Sequence, residues 1–323
     1  MSADQHTAKI KLHPGWLEQI KCISHKGFCP LNRAKAVPYL LILPFAFLSL
    51  FFIYGIGSGF LQSFGIIPSL DLTTPTLKYY MEIFNRPELV SSIWISLYIT
   101  VVSSVTAAVL GVLICAALVL TGQDRGRMMG VVKIPIAIPH TVVALFVICI
   151  FAQSGLLARV LYSVGLISSQ SSFPSLLYTG NGVGIILAYL WKEVPFIAFF
   201  VISVMANISS TLGEAAENLG AGKWRTFIEV TLPLCMPAIK NAFLIVFAFT
   251  LGAYELPYLL GATAPRALPV QAFIEYTHPD LQHRPYAMAL NGIMFFISFI
   301  VVLLYYRLVQ RDKRMRNGMN AND

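Results

Sequence analysis

The sequence predicts an all-α integral membrane protein with six transmembrane helices, and three observations carry the prediction. Hydrophobic residues make up 57% of the 323 residues and charged residues 12%, with a mean hydropathy of +0.71. Soluble domains devote about a quarter of their residues to charge. Six apolar runs, at residues 37–61, 92–120, 134–151, 184–205, 238–260 and 286–308, lie near the roughly 20 residues that a helix needs to cross hydrocarbon. Alternate loops also differ sharply in positive charge. One side collects Lys9, Lys11, Lys21, Lys26, Arg33, Lys35, Arg125, Arg127, Lys133, Lys223, Arg225, Lys240, Arg307, Arg311, Lys313, Arg314 and Arg316, and the other only Lys78, Arg86, Arg159, Arg266 and Arg284. That asymmetry predicts both termini in the cytoplasm. The net charge of +8 is therefore a matter of topology, and nucleic acid is not an expected partner.

In chain order, residues 1–36 read as a cytoplasmic tail, 37–308 as one six-helix domain and 309–323 as a second tail. The first 36 residues are too long and mixed for a cleavable signal, and the following run is long enough to span. All five cysteines fall in the membrane or on the predicted cytoplasmic side, so no disulfide is expected. His13, Cys22, His25 and Cys29 fit no strong zinc spacing, and no metal is expected. The exported loop 62–91 has Tyr79, Tyr80, Ile83 and Phe84 at helical spacing, which predicts a short surface helix. Residues 152–182, interrupted by Pro174, read as an exported re-entrant or interfacial segment. Pro44, Pro135, Pro139, Pro195, Pro257 and the run Gly55, Gly57, Gly59 interrupt spans, and such breaks normally face a bundle interior or a water-filled cavity.

The segment EAAENLGAGKWRTFIEVTLP, from Glu214 to Pro233, is polar within this apolar chain. Thr211 followed by Glu214 is a capping-box pattern and predicts a helix starting near Leu212. Gly220 would close it with a left-handed turn. A second amphipathic turn, with Trp224, Phe227 and Ile228 on one face, should stop before Pro233. Large aromatics beside small Ala215, Ala216 and Ala221 suit a groove on a partner. Folding back onto the membrane domain is the other open reading.

Glu214, Ala215, Ala216, Gly220, Ala221, Phe227, Val230, Leu232, Pro233 and Pro237 resemble the EAA loop of permease subunits of binding-protein-dependent ABC importers. The loop lies between the fourth and fifth spans, as in that family. Trp191, Lys192, Pro195 and Phe196, and the segment LGAYELPYLLG followed by Leu268, Pro269 and Val270, extend the resemblance over most of the chain from the second span onward. The pattern is most similar to the type I branch containing polyamine, iron(III), phosphonate and thiamine importers.

The resemblance implies that Glu214, Ala215, Ala216, Gly220, Ala221, Trp224, Phe227 and Pro233 dock a separate cytoplasmic ATPase, the loop acting as a coupling helix. It also implies a second permease subunit, a different chain by preference, and an extracytoplasmic solute-binding protein, all at a bacterial inner membrane. ATP and magnesium would belong to the ATPase, and no cofactor to this chain. In agreement, the nearest string to a phosphate-binding loop, GAGKW from Gly220, lacks the spacing and the hydroxyl residue. The protein is thus expected to be a transport subunit and not an enzyme.

For the translocation path, Lys192, Glu193 and Glu255 stand out as ionisable residues at membrane depth. Lys192 and Glu193 point about 100° apart on a helix, which argues against mutual neutralisation. Lys192 is equally open to a structural role and Glu255 to a solvated one. His140 beside Pro139, and Tyr254, are further candidates, with an interior histidine the alternative for His140. Asn291 is weaker still. An acidic Glu255 suits a polyamine-like cation, with iron(III), phosphonate or thiamine as alternatives. An ion-coupled secondary transporter is the rival class, but no inverted repeat pairs the first three spans with the last three. A membrane enzyme would need paired carboxylates, a metal cluster or an activated nucleophile, and no such set is present.

Overall fold

The computed structural model describes the backbone of residues 30–123 and 127–319 and the side chains of 38–123 and 128–307. His13, Cys22, His25, Cys29 and Arg125 lie outside the described residues. The chain divides into a unit ending at Ser58 and one beginning at Gly59. The first unit carries most of α1 (Pro30–Ser63). This helix begins ahead of the expected residue 37 and tolerates Pro38 and Pro44 within it. Its side chains from Tyr39 to Tyr54 are largely exposed, as suits a helix whose surroundings are apolar.

In the second unit, α2 (Lys78–Asn85) is the short helix expected between the first two spans. Ile83 is its buried anchor, and the Tyr80 hydroxyl donates to Ser63 Oγ at 2.9 Å. Next come α3 (Pro87–Leu120), α4 (Arg127–Ala137), α5 (His140–Phe151), α6 (Leu156–Ser163) and α7 (Val183–Ile208). The chain continues through α8 (Glu214–Asn218), α9 (Lys223–Thr226), α10 (Leu232–Gly252), α11 (Glu255–Leu260), α12 (Leu268–Tyr276) and α13 (Arg284–Met319). Six stretches among the described residues are long and apolar enough to cross a membrane. Residues 152–182 supply no seventh crossing; α6 is counted with the third, which runs His140–Ser163.

Helix α3 packs along α7, and α10 packs on both. Small residues make this possible. Ser92, Ser96, Thr100, Ser103, Ala107, Gly111 and Cys115 recur every three or four positions and are all buried, the arrangement that lets helices approach where lipid offers no hydrophobic drive. A Cβ on Gly111 would stand 2.8 Å from Ile197 Cγ2. One core cluster joins Ala107, Cys115, Ile197, Val201, Met205, Cys235 and Val246, and a second joins Ile99, Val143, Tyr189, Leu256 and Leu260. A third, around Ile83, Leu89, Leu268 and Leu290, ties α2, α3, α12 and α13 together.

Two of the spans that the sequence marks as interrupted by proline are broken, at Pro139 and ahead of Pro257, whereas Pro44 and Pro195 stay inside continuous helices. The third stops at Ala137 and restarts at His140, because Pro139 adopts an extended conformation and Ile138 precedes it. The fifth stops at Gly252, passes through extended Ala253 and restarts at Glu255. Pro257 has no N–H for the Ala253 carbonyl, and its ring would clash with it. Glu255, expected a residue or two from the outer end of the fifth span, opens a separate short helix.

Candidate functional site

The hairpin at 211–233 differs from its expected construction. No capping box forms at Thr211: Asn207 to Glu214 stay helical through a π turn at Ser209–Gly213, and the Thr211 hydroxyl donates back to the Asn207 carbonyl at 2.9 Å. The fourth span and α8 are therefore one helical run, Val183–Asn218. Its end is as expected. Gly220 has φ +93°, Gly220 N–H donates to the Glu217 carbonyl at 2.9 Å, and Ala221 N–H to the Ala216 carbonyl at 3.1 Å, the double closure of a Schellman end.

The second arm also runs on. Instead of stopping before Pro233, α9 continues through a π turn at Phe227–Thr231 into α10. Proline at the start of α10 costs little, since the wider turn before it absorbs the missing N–H. Phe227 is buried in the chain's own core, so at this residue the hairpin folds back, one of the two readings left open by the sequence. Trp224 stacks on it at 5.9 Å yet stays 61% exposed, and Leu219 at the tip is 90% exposed. Glu214, Ala215 and Pro233 are exposed, while Ala216 and Ala221 are half-buried.

The second site forms where the two broken spans meet α7. Lys192 Nζ donates to the Ile138 carbonyl at 2.5 Å and approaches the Ile136 carbonyl at 3.4 Å. These carbonyls close the end of α4 and lose their helical partners at the Pro139 break, so a cation from α7 caps a helix end that carries partial negative charge. His140 Nδ1 lies 3.6 Å from Glu255 Oε2, and the His140 ring packs on Phe249 at 5.5 Å. The Glu255 side chain is 59% exposed, so its carboxylate is available to a ligand. Tyr254 stacks on Tyr258 at 5.0 Å and meets Phe273 at 4.8 Å, which extends the carboxylate into an aromatic surface. A groove of about 380 Å³ beside it is lined by Tyr254, Phe273, Tyr276, Met288 and Asn291 among others.

Three of the sequence candidates, His140, Lys192 and Glu255, thus come together, with Tyr254 adjoining. Glu193 does not join them. It is 4% exposed and faces Thr250 on α10. Sequence reasoning missed Tyr258 and Phe273. The Tyr254–Tyr258 spacing of one helical turn was the available signal; Phe273 had none. It also missed the pair of Glu275 and His283, 2.6 Å apart, and the hydroxyl of Tyr286 donating to Glu82.

A family model described as binding-protein-dependent transport system inner membrane component matches residues 108–315. The chain belongs to this family. It is accordingly a multi-pass protein of the bacterial inner membrane and a permease subunit of an ABC importer for a small solute. The permease is 26% identical over 297 residues to the sulfoquinovosyl glycerol transport system permease protein SmoG of Agrobacterium fabrum, covering 86% of this chain and 91% of that one. It is 23% identical over 250 residues to the putrescine transport system permease protein PotI of Escherichia coli, covering 76% and 82%. In fold it is similar to a chain of a bacterial ABC transporter that imports the acidic polysaccharide alginate, with a TM-score of 0.70, 19% identity and 86% and 96% coverage. The solutes named for these proteins reach well outside the polyamine, iron(III), phosphonate and thiamine branch, so the resemblance holds for the family and does not single out that branch.

Proposed function

We propose that this permease supplies half of a translocation path for a small organic cation of the polyamine type and is driven by a separate ATPase seated on the 211–233 hairpin. The observation that carries this reading is the meeting of His140, Lys192 and Glu255 at two span breaks, with an exposed carboxylate beside stacked tyrosines. A carboxylate flanked by aromatic faces attracts ammonium groups both by charge and by the ring quadrupole. Lys192 is engaged with backbone carbonyls, which leaves Glu255 the ionic group best placed to meet solute. The putrescine permease among the relatives agrees with this choice.

On this reading the hairpin and both termini face the cytoplasm, as the Lys and Arg distribution favours. Exposed Leu219 and Trp224 give an ATPase cleft its apolar hold, with Glu214, Ala215, Ala216, Gly220, Ala221, Phe227 and Pro233 shaping the hairpin. ATP and magnesium belong to that ATPase, because the chain has no phosphate-binding loop in its sequence. A second permease, preferably a different chain, completes the cavity, and a solute-loaded binding protein docks on the opposite end. ATP closes the paired ATPases, each moves a hairpin, and the permeases rock between outward-open and inward-open forms.

Affinity purification of the tagged chain from its native membrane, followed by diamine uptake in reconstituted vesicles, tests the proposal. An ATPase and a second permease should copurify, and Glu255→Gln should abolish saturable diamine uptake. Recovery of the chain alone would sink the importer assembly, and unchanged uptake by Glu255→Gln would sink the assigned solute class.

A further inference from the structure

Glu193 is the most deeply buried carboxyl group of the described spans, 4% exposed on α7. Its Oε1 contacts the Thr250 hydroxyl, and its Oε2 is buried without a hydrogen-bond partner among the described residues. The same Thr250 hydroxyl also lies 2.8 Å from the Val246 carbonyl, one turn back on α10. A hydroxyl has one hydrogen to donate. Aimed at the carbonyl, it leaves the Thr250 and Glu193 oxygens in contact with no hydrogen directed between them, and two such oxygens repel. The contacts balance if the carboxyl itself holds a proton: Glu193 donates to Thr250 Oγ1, and Thr250 donates to the Val246 carbonyl. The orphaned Oε2 gives the same answer independently, because an ionised oxygen without a partner costs far more in an apolar interior than the carbonyl of a neutral acid.

Among the described residues, no ion pair to Glu193 is found. Lys192, next in sequence, points to the Ile138 carbonyl; Lys133 of α4 sits over the Phe199 ring at 4.7 Å; His140 of α5 faces Glu255. Lys240 lies ten residues before Thr250, about 15 Å back along α10. Thr250 shares a small cavity with the α3 hydroxyl residues Ser96 and Thr100 and with buried Tyr189, one turn from Glu193 on α7.

We infer that Glu193 is a neutral, proton-bearing carboxylic acid that ties α7 to the last turn of α10 and so positions the break that presents Glu255. Thr250 stands two residues before Gly252, where α10 ends, so the bond fixes the stub from which α11 restarts. Glu193 is a positioning residue and not a charge on the solute path. The inference rests on hydrogen-bond geometry and is independent of which solute is carried.

Infrared spectroscopy of the purified full-length protein in lipid tests it. At mildly alkaline pH solvated carboxyl groups are ionised, and the buried Glu275 is paired with His283 and Gln271. A protonated-acid carbonyl band should persist in the wild type and vanish in Glu193→Gln. Glutamine donates to Thr250 as the acid does, so that variant should keep the wild-type melting temperature and transport, while Glu193→Ala should lose both. A wild type without the band overturns the inference, and so does a Glu193→Gln variant as impaired as Glu193→Ala. Should neither variant fold, the wild-type band and its downshift in heavy water decide the matter alone.

Discussion

Lys192 shows how one side chain closes a break that its own helix does not contain. Its ammonium caps the α4 carbonyls released at Pro139. Lys192→Met should leave those half-buried acceptors to water, at about 0.5 to 1.5 kcal/mol for the lost hydrogen bonds, while Lys192→Arg, which keeps the donor, should recover much of the loss. Thermal unfolding of the three proteins in one detergent measures both effects; equal melting temperatures would show that the capping contact contributes nothing. At this scale the sequence was half legible. Ionisable residues within apolar runs are conspicuous, and Lys192, Glu193, Glu255 and His140 were all visible. Their pairing was not, because the partners lie on different spans and two are backbone carbonyls freed only by the way Pro139 bends the chain.

Among elements, the contact between α3 and α7 rests on glycine at position 111. A methyl group there meets Ile197 at 2.8 Å from one atom and 2.9 Å from another. Gly111→Ala should therefore destabilise by about 1 to 3 kcal/mol through overpacking. Gly130→Ala, in helical α4 with nothing within 4 Å, should instead stabilise by roughly 0.5 to 1 kcal/mol through helix propensity. Opposite shifts of the unfolding midpoint would confirm that packing and not glycine content sets the difference; two shifts of the same sign would refute it. Lengths and spans were legible from hydropathy, and the Gly220 ending from turn chemistry. The π turns at Ser209–Gly213 and Phe227–Thr231 were not. Capping rules foretell where an isolated helix would end, and here the flanking transmembrane helices carry the helical register through.

For the whole molecule, sidedness is the property that the charge asymmetry decides. With native cysteines removed, Leu219→Cys at the hairpin tip and Leu166→Cys beyond α6, both at exposed positions, should react with an impermeant maleimide from opposite faces of the membrane, Leu219→Cys only in inverted vesicles. Labelling of both from one face would overturn the topology. The prediction stands on the distribution of Lys and Arg between loops, a term that acts during insertion and needs no tertiary contact.

The sequence by itself determined the solvent, the number of crossings, the loop that leaves the membrane and the family, because each depends on hydropathy, local charge or a contiguous motif. Only the tertiary structure decided which of the prolines break a span, that Phe227 turns inward while Trp224 stays out, and that His140, Lys192 and Glu255 meet while Glu193 is kept apart against Thr250. The physical reason is common to all of these. A side chain finds its partner, polar or apolar, in three dimensions, and the partner's distance along the chain carries no trace of it.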